Sequence, residues 1–207
     1  MYVPKHFEEN RPKEIKRIIK NFPLATLVSN AKNILMANHL PLILNNSSDK
    51  KMELIGHIAK SNTIYSELSN NDDVMVIFRT EDAYISPNWY PTRNKNKEHV
   101  PTWNYQAVHL YGKILFVNDE KLILNSVKIL TEVFEKNNYN KDDWKLNKVS
   151  SKFMSLMLKE IVGIKITISK QIAKSKLSQN RDDEDYINVS KKLKKLGYTF
   201  LSNSMKN

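Results

Sequence analysis

The segment Gly56-His57-Ile58-Ala59-Lys60-Ser61-Asn62 leaves an apolar run and enters a helix start, where free backbone amides, the positive dipole end and a lysine meet. That combination suits a bound phosphate. The same residues also suit an ordinary helix cap through Ser61 or Asn62, and spacing alone does not separate the two readings. A second dense segment, Tyr84-Ile85-Ser86-Pro87-Asn88-Trp89-Tyr90-Pro91, is followed after a polar loop by Val100-Pro101-Thr102-Trp103-Asn104-Tyr105. Flat aromatic side chains beside Asn and Thr can pack a planar heteroaromatic ring and read its polar edge. They can equally be a core cluster stiffened by proline turns. A third segment, Lys174-Ser175-Lys176-Leu177-Ser178-Gln179-Asn180-Arg181, sets three cations and two amides ahead of the last helix. It reads as an anion-holding cluster or as a solvated basic loop.

Other chemistries are disfavoured. His39, His57 and His109 fall on expected strands, but no two histidines stand at close ligand spacing with an acidic partner, so no metal site is expected. Ser86 precedes Pro87 and lacks the glycine-flanked elbow of serine hydrolases. With no cysteine and only four glycines there is no thiol nucleophile, disulfide, iron–sulfur cluster or glycine-rich phosphate loop.

The elements that must position these residues follow from periodicity. Pro12 can open a helix whose Ile15, Ile18, Ile19 and Phe22 recur at helical spacing. Leu24–Ser29 and Ile34–Leu44 read as a hairpin, with Pro41 implying an edge or a bulge. Glu53–Ile58 is a third strand and Asn62–Leu68 a short helix, after which Val74–Phe78 and Ala83–Ser86 read as separate strands. Trp103–Phe116 alternates as one long strand, with Trp103, Tyr105, Ala107, His109 and Tyr111 on one face and Asn104, Gln106, Val108 and Leu110 on the other. Asn118 or Asp119 can cap a helix with an Ile123, Val127, Leu130, Phe134 stripe, and a short helix carries Phe153, Met154, Met157 and Leu158. Val162, Ile164, Ile166 and Ile168 mark a half-buried strand. The last helix runs from Asp182-Asp183-Glu184-Asp185 to a lysine-rich end at Gly197, in the order the helix dipole favours. Strands joined by short connections, without repeated strand-helix-strand units, predict a mainly β fold with peripheral helices.

A chain of 207 residues without an internal repeat or Pro/Gly/Ser-rich linker is expected to form a single domain over 1–207. No apolar run approaches membrane-spanning or signal-peptide length, so a soluble, cytoplasmic protein without a membrane partner is expected. The net charge of +11 favours anionic partners, although the Lys- and Asn-rich composition is equally a general bias of the chain.

The motifs above, with the opening Met1-Tyr2-Val3-Pro4-Lys5-His6-Phe7, Ala37-Asn38-His39-Leu40-Pro41 and Val108-His109, resemble in order and spacing the PaiB family of FMN-binding negative transcriptional regulators. That family lies within the pyridoxamine-oxidase-like group. The resemblance implies an FMN-binding split β-barrel that forms a homodimer with two equivalent flavin pockets. It makes His57, Lys60, Ser61 and Asn62 candidates for the phosphate, and Trp103, Asn104, Lys176, Gln179, Asn180 and Arg181 candidates for the rest of the cofactor. Thr63 and Ser175 depart from the family pattern, which commonly has Pro and Trp there. If that Trp covers the flavin, its loss points to weak FMN binding or to another flat ligand such as haem. Two functions follow from the resemblance: a transcriptional regulator or redox sensor that binds DNA, or a low-turnover FMN-dependent oxidoreductase that does not. The sequence contributes only charge to DNA binding, because no helix-turn-helix, zinc finger or basic zipper pattern is present.

Overall fold

Pro12 fixes the first turn of α1 (Pro12–Asn21), and Ile15, Ile18 and Ile19 form its buried stripe. β1 (Leu24–Ala31) and β2 (Ile34–Pro41) make the expected hairpin, closed by Lys32 and Asn33 at φ 50° and 65°. The computed structural model describes residues 1–45, 52–95, 99–136 and 144–205.

Seven strands form one sheet in the order β2-β1-β5-β6-β7-β4-β3, and the registers of β1 with β2 and β5, β3 with β4, and β4 with β7 are antiparallel. The fold is thus mainly β with peripheral helices. Two strand boundaries differ from the sequence reading. The single strand expected over 34–44 is two, because Pro41 has no amide to continue the ladder; β3 (Ile43–Leu44) pairs instead with β4 (Glu53–Ala59) at the other end of the sheet. The two strands expected over 74–86 are one continuous β5 (Asp73–Ile85). Its polar middle is kept in the ladder by Thr80, which is buried and accepts a hydrogen bond from the Gln106 amide at 3.0 Å.

The remaining elements are α2 (Thr63–Glu67), β6 (Thr102–Val117), α3 (Glu120–Lys136), α4 (Ser151–Lys159), β7 (Ile161–Lys176), α5 (Asp183–Lys195) and α6 (Thr199–Ser204). Asp119 caps α3 by accepting from the Leu122 amide at 2.9 Å. α5 ends at Gly197, whose φ of +90° is the left-handed stop expected there.

The chain divides into two units. The first comprises Met1–Phe22, Phe78–His109 and Ile172–Asn207; its core is Ala83, Ile85, Tyr90, Leu177, Val189, Leu193, Leu201 and Met205. The second comprises Pro23–Ile77 and Leu110–Gln171 and includes a cluster of Ile43, Ile55 and Leu130. Among the described residues no helix is long and apolar enough to cross a membrane.

Candidate functional site

The first unit brings together all six candidates from the segments around residues 103 and 180. Alternation along β6 turns Asn104 inward, fully buried, and leaves Trp103 half exposed. The end of β7 places Lys176 beside them: its ammonium donates to the Thr102 hydroxyl and, at 2.8 Å, to the Trp103 carbonyl. Burial lowers the Lys176 pKa, and the neighbouring charges of Lys174 and Arg181 lower it further. Beyond β7 the chain turns sharply at Ser178, whose φ is 63°. The Ser178 hydroxyl donates to Asn104 Oδ1 at 3.0 Å, which fixes the turn against β6. Gln179 uses its amide to hold this turn, accepting from the Leu177 amide at 2.7 Å and donating to the Ser175 carbonyl at 2.6 Å. Both ends of its side-chain amide are thus engaged within the loop. Arg181 lies over the Tyr90 ring, 4.8 Å from its centroid.

Two adjoining cavities open on this cluster. One of about 110 Å³ is lined by Phe7, Asn104, Asn180 and Arg181, and one of about 670 Å³ by Arg79, Asp82, Trp103, Tyr105 and Lys174; both share Thr102 and Lys176. Trp103 and Tyr84 meet edge to face at 5.7 Å, with 51% and 48% of their surfaces exposed. The aromatic segment thus splits between its two readings. Tyr90 is buried and Trp89 packs on the first unit's core, whereas Tyr84 and Trp103 remain on the surface, Trp103 at the cavity.

The second unit holds the other four candidates at the corner between β4 and α2. Asn62 Oδ1 accepts from the Ile64 amide at 3.0 Å, and its Nδ2 donates to Asn38 Oδ1 at 3.1 Å. Asn62 is thus the helix cap, and it joins two motifs 24 residues apart in sequence. Lys60 and Ser61 are exposed, and Lys60 has no carboxylate partner among the described residues. His57 is half-buried on β4 with Nδ1 unpartnered, and burial lowers its pKa, which favours the neutral ring. No cluster of three metal-ligating side chains occurs among the described residues.

Sequence reasoning missed a buried polar network in the first unit. Glu9 accepts from Arg11 Nε and Nη2 at 2.9 and 2.7 Å and from the Ser175 hydroxyl at 2.8 Å. Gln106 Nε2 donates to Ser175 at 2.8 Å and to Glu14 at 2.7 Å, and Glu14 is held by Arg17. Ser175 is therefore a buried, hydrogen-bonded member of this network, 3% exposed. The network also ties the N-terminal segment, including cavity-lining Phe7, to β6 and β7.

Residues 1–170 match the family described as "Putative FMN-binding domain". The chain is also 38% identical over 193 residues to the protease synthase and sporulation protein PAI 2 of Bacillus subtilis, covering 93% of this chain and 89% of that protein. This chain belongs to the PaiB-type FMN-binding family. An uncharacterized Saccharomyces cerevisiae protein is 31% identical over 151 residues, covering 64% of this chain and 89% of its own length.

The PaiB-type fold also resembles solved structures of low identity. The flavocytochrome Anf3 of Azotobacter vinelandii has a TM-score of 0.60 at 13% identity, over 90% of this chain and 78% of that one. The FAD and heme binding protein of Mycobacterium smegmatis has 0.59 at 12% identity, over 87% and 78%. The protein is a flavin-binding split-barrel protein, and its family cofactor is FMN. The residues present fit that group: the larger cavity lies within the ~300–1,000 Å³ of small-molecule sites and is walled by the half-exposed Trp103 indole and by Lys176.

Proposed function

We propose that this chain works as one domain over residues 1–207 in a cytoplasmic homodimer, and that it is a PaiB-type regulator or redox sensor whose state is set by bound FMN. The observation that carries this reading is the aromatic-walled cleft of the first unit, in which Lys176 lacks a carboxylate partner among the described residues. FMN, when bound, supplies the electron-transfer chemistry. The chain's own residues bind and orient it. Trp103 offers a flat apolar face, while Asn104, Asn180 and Arg181 offer polar groups at the smaller cavity. Lys176 commits two of its three ammonium protons to Thr102 and Trp103, which leaves one directed donor for a ligand acceptor. Lys60 and Ser61, beside the Asn62 cap and His57, are assigned to the phosphate; their exposure and the uncompensated Lys60 charge support this.

DNA is the proposed partner of the regulator, through the basic surface that includes Lys191, Lys192, Lys194 and Lys195, all exposed on α5. Its binding should weaken steeply as salt rises, because neutralising phosphates releases counterions. The second reading is a low-turnover flavin or haem-binding oxidoreductase without DNA binding. It draws on the fold shared with the flavocytochrome and the FAD and heme binding protein, and on the His57 and His109 imidazoles, each with an unpartnered Nδ1.

The test is a fluorescence titration of the purified protein with FMN, with riboflavin and haem as comparison ligands. Quenching is expected on binding. Trp103→Ala should weaken FMN and riboflavin alike, whereas Lys60→Ala should weaken FMN alone, since riboflavin lacks the phosphate. Full affinity in both variants overturns the site assignment, and an absent or salt-insensitive gel shift removes the DNA-binding reading.

A further inference from the structure

Lys174 is 8% exposed, an unusual place for an ammonium group. Among the described residues its Nζ reaches the Tyr2 carbonyl, at a long 3.4 Å, and the face of Tyr105, 5.4 Å from the ring centroid. Neither neutralises its charge. A buried cation is normally paired with an anion, and here no carboxylate pairs with it among the described residues. Among the described residues lining the cavity the acidic side chain is Asp82, which is already held by Arg79. Lys176 lines the same cavity, which therefore holds a second ammonium group.

We propose that Lys174, with Tyr105 beside it and Arg79 at the cavity wall, is an anion site that takes the phosphate or carboxylate of a second, planar organic ligand. The walls set the rest of the ligand. Trp103 and Tyr105 line the cavity beside the cations, and Trp103 leaves half its surface exposed, so a flat aromatic anion satisfies both the charge and the surface. The cavity of about 670 Å³ is roomy for such a molecule. That the ligand lies next to the flavin rests on the FMN reading above; the anion site itself rests on Lys174.

Phenyl phosphate and benzoate are suitable probes, titrated calorimetrically into the FMN-loaded and the FMN-free protein. At least one should bind the wild type. Lys174→Met, which keeps the apolar stem, should weaken that probe more than tenfold, while Lys174→Arg stays within threefold. Lys191→Met, an exposed change on α5, controls for bulk charge and should leave the probe unaffected. Preference for phenyl phosphate identifies a phosphate ligand, and preference for benzoate a carboxylate. Should Lys174→Met not fold, Arg79→Gln replaces it, with three- to tenfold weaker probe binding expected. Binding of neither probe to the wild type, or unchanged binding in the variants, overturns the site. A loss of FMN affinity in Lys174→Met with riboflavin affinity intact also overturns it, because the anion would then be the phosphate of FMN. If FMN fails to bind the wild type but phenyl phosphate still requires Lys174, the FMN reading falls and the anion site stands.

Discussion

Replacing Glu9 by Ala removes the acceptor at the centre of the first unit's polar network. Glu9 is 3% exposed and takes side-chain bonds from Arg11 and Ser175, besides one from the Arg11 backbone amide at 3.0 Å. Arg11 is 51% exposed and can turn to water, so its share of the loss is small. Ser175 is buried and cannot, and a hydrogen bond to a charged group is worth about 1.5–3 kcal/mol with a further penalty for a donor left unpaired. Together these give a loss of about 2–4 kcal/mol, or a fall in Tm of roughly 4–16 °C for a domain of this size. Burial alone would raise the Glu9 carboxyl, but the bonds from Arg11 and Ser175 outweigh it and hold the pKa below its ordinary value. A carboxylate with a depressed folded pKa adds stability above its unfolded pKa of about 4.3 and loses it as pH falls through the folded value. Urea unfolding of wild type and Glu9→Ala at pH 7 and at successively lower pH therefore measures two things. The variant should be less stable at pH 7, and the gap should narrow below about pH 4. A gap under about 0.5 kcal/mol at pH 7, or one that does not change on acidification, refutes the reasoning.

Three further outcomes follow from single contacts. A Cβ at Gly112 would collide with the Thr167 carbonyl oxygen, so Gly112→Ala should cost about 1–3 kcal/mol in urea unfolding, and an unchanged midpoint would show that the backbones yield there. Asn62→Ala should lower stability by about 1 kcal/mol through loss of the α2 cap, whereas Ser61→Ala should not; equal effects would move the cap to Ser61. Burial lowers the pKa of His57 and of His109, the latter helped by the N-terminal charge, so their imidazole NMR signals should titrate below the ~6.5 of an unstructured histidine, and titration at or above that value would contradict the burial.

How far the sequence revealed the molecule depends on how local each signal is. α1 was readable because Pro12 and the isoleucines at 15, 18 and 19 are a complete local statement of a buried helical stripe. Pro41 announced an edge, yet nothing nearby told that residues 43–44 would pair at the opposite end of the sheet, which is a non-local choice. The Trp103, Asn104 and Lys176 grouping was legible through the family resemblance, and the hydrogen bond from Lys176 to Trp103 brings it together in space. Lys174, read as part of a basic loop, is instead buried on β7, because the strand runs past the last clear apolar alternation at Ile168. The Glu9 network was hidden for a simpler reason: its partners stand 92 and 166 residues apart, and acidic residues near a chain start ordinarily signal solvent.

The most direct test is the structure of the protein crystallised with FMN. The isoalloxazine ring should lie against the Trp103 indole, with the Lys176 ammonium donating to it and Arg181 within hydrogen-bonding reach of the ligand. Flavin density away from Trp103 and Lys176, or an FMN-saturated crystal with the 670 Å³ cavity holding water alone, would contradict the assignment.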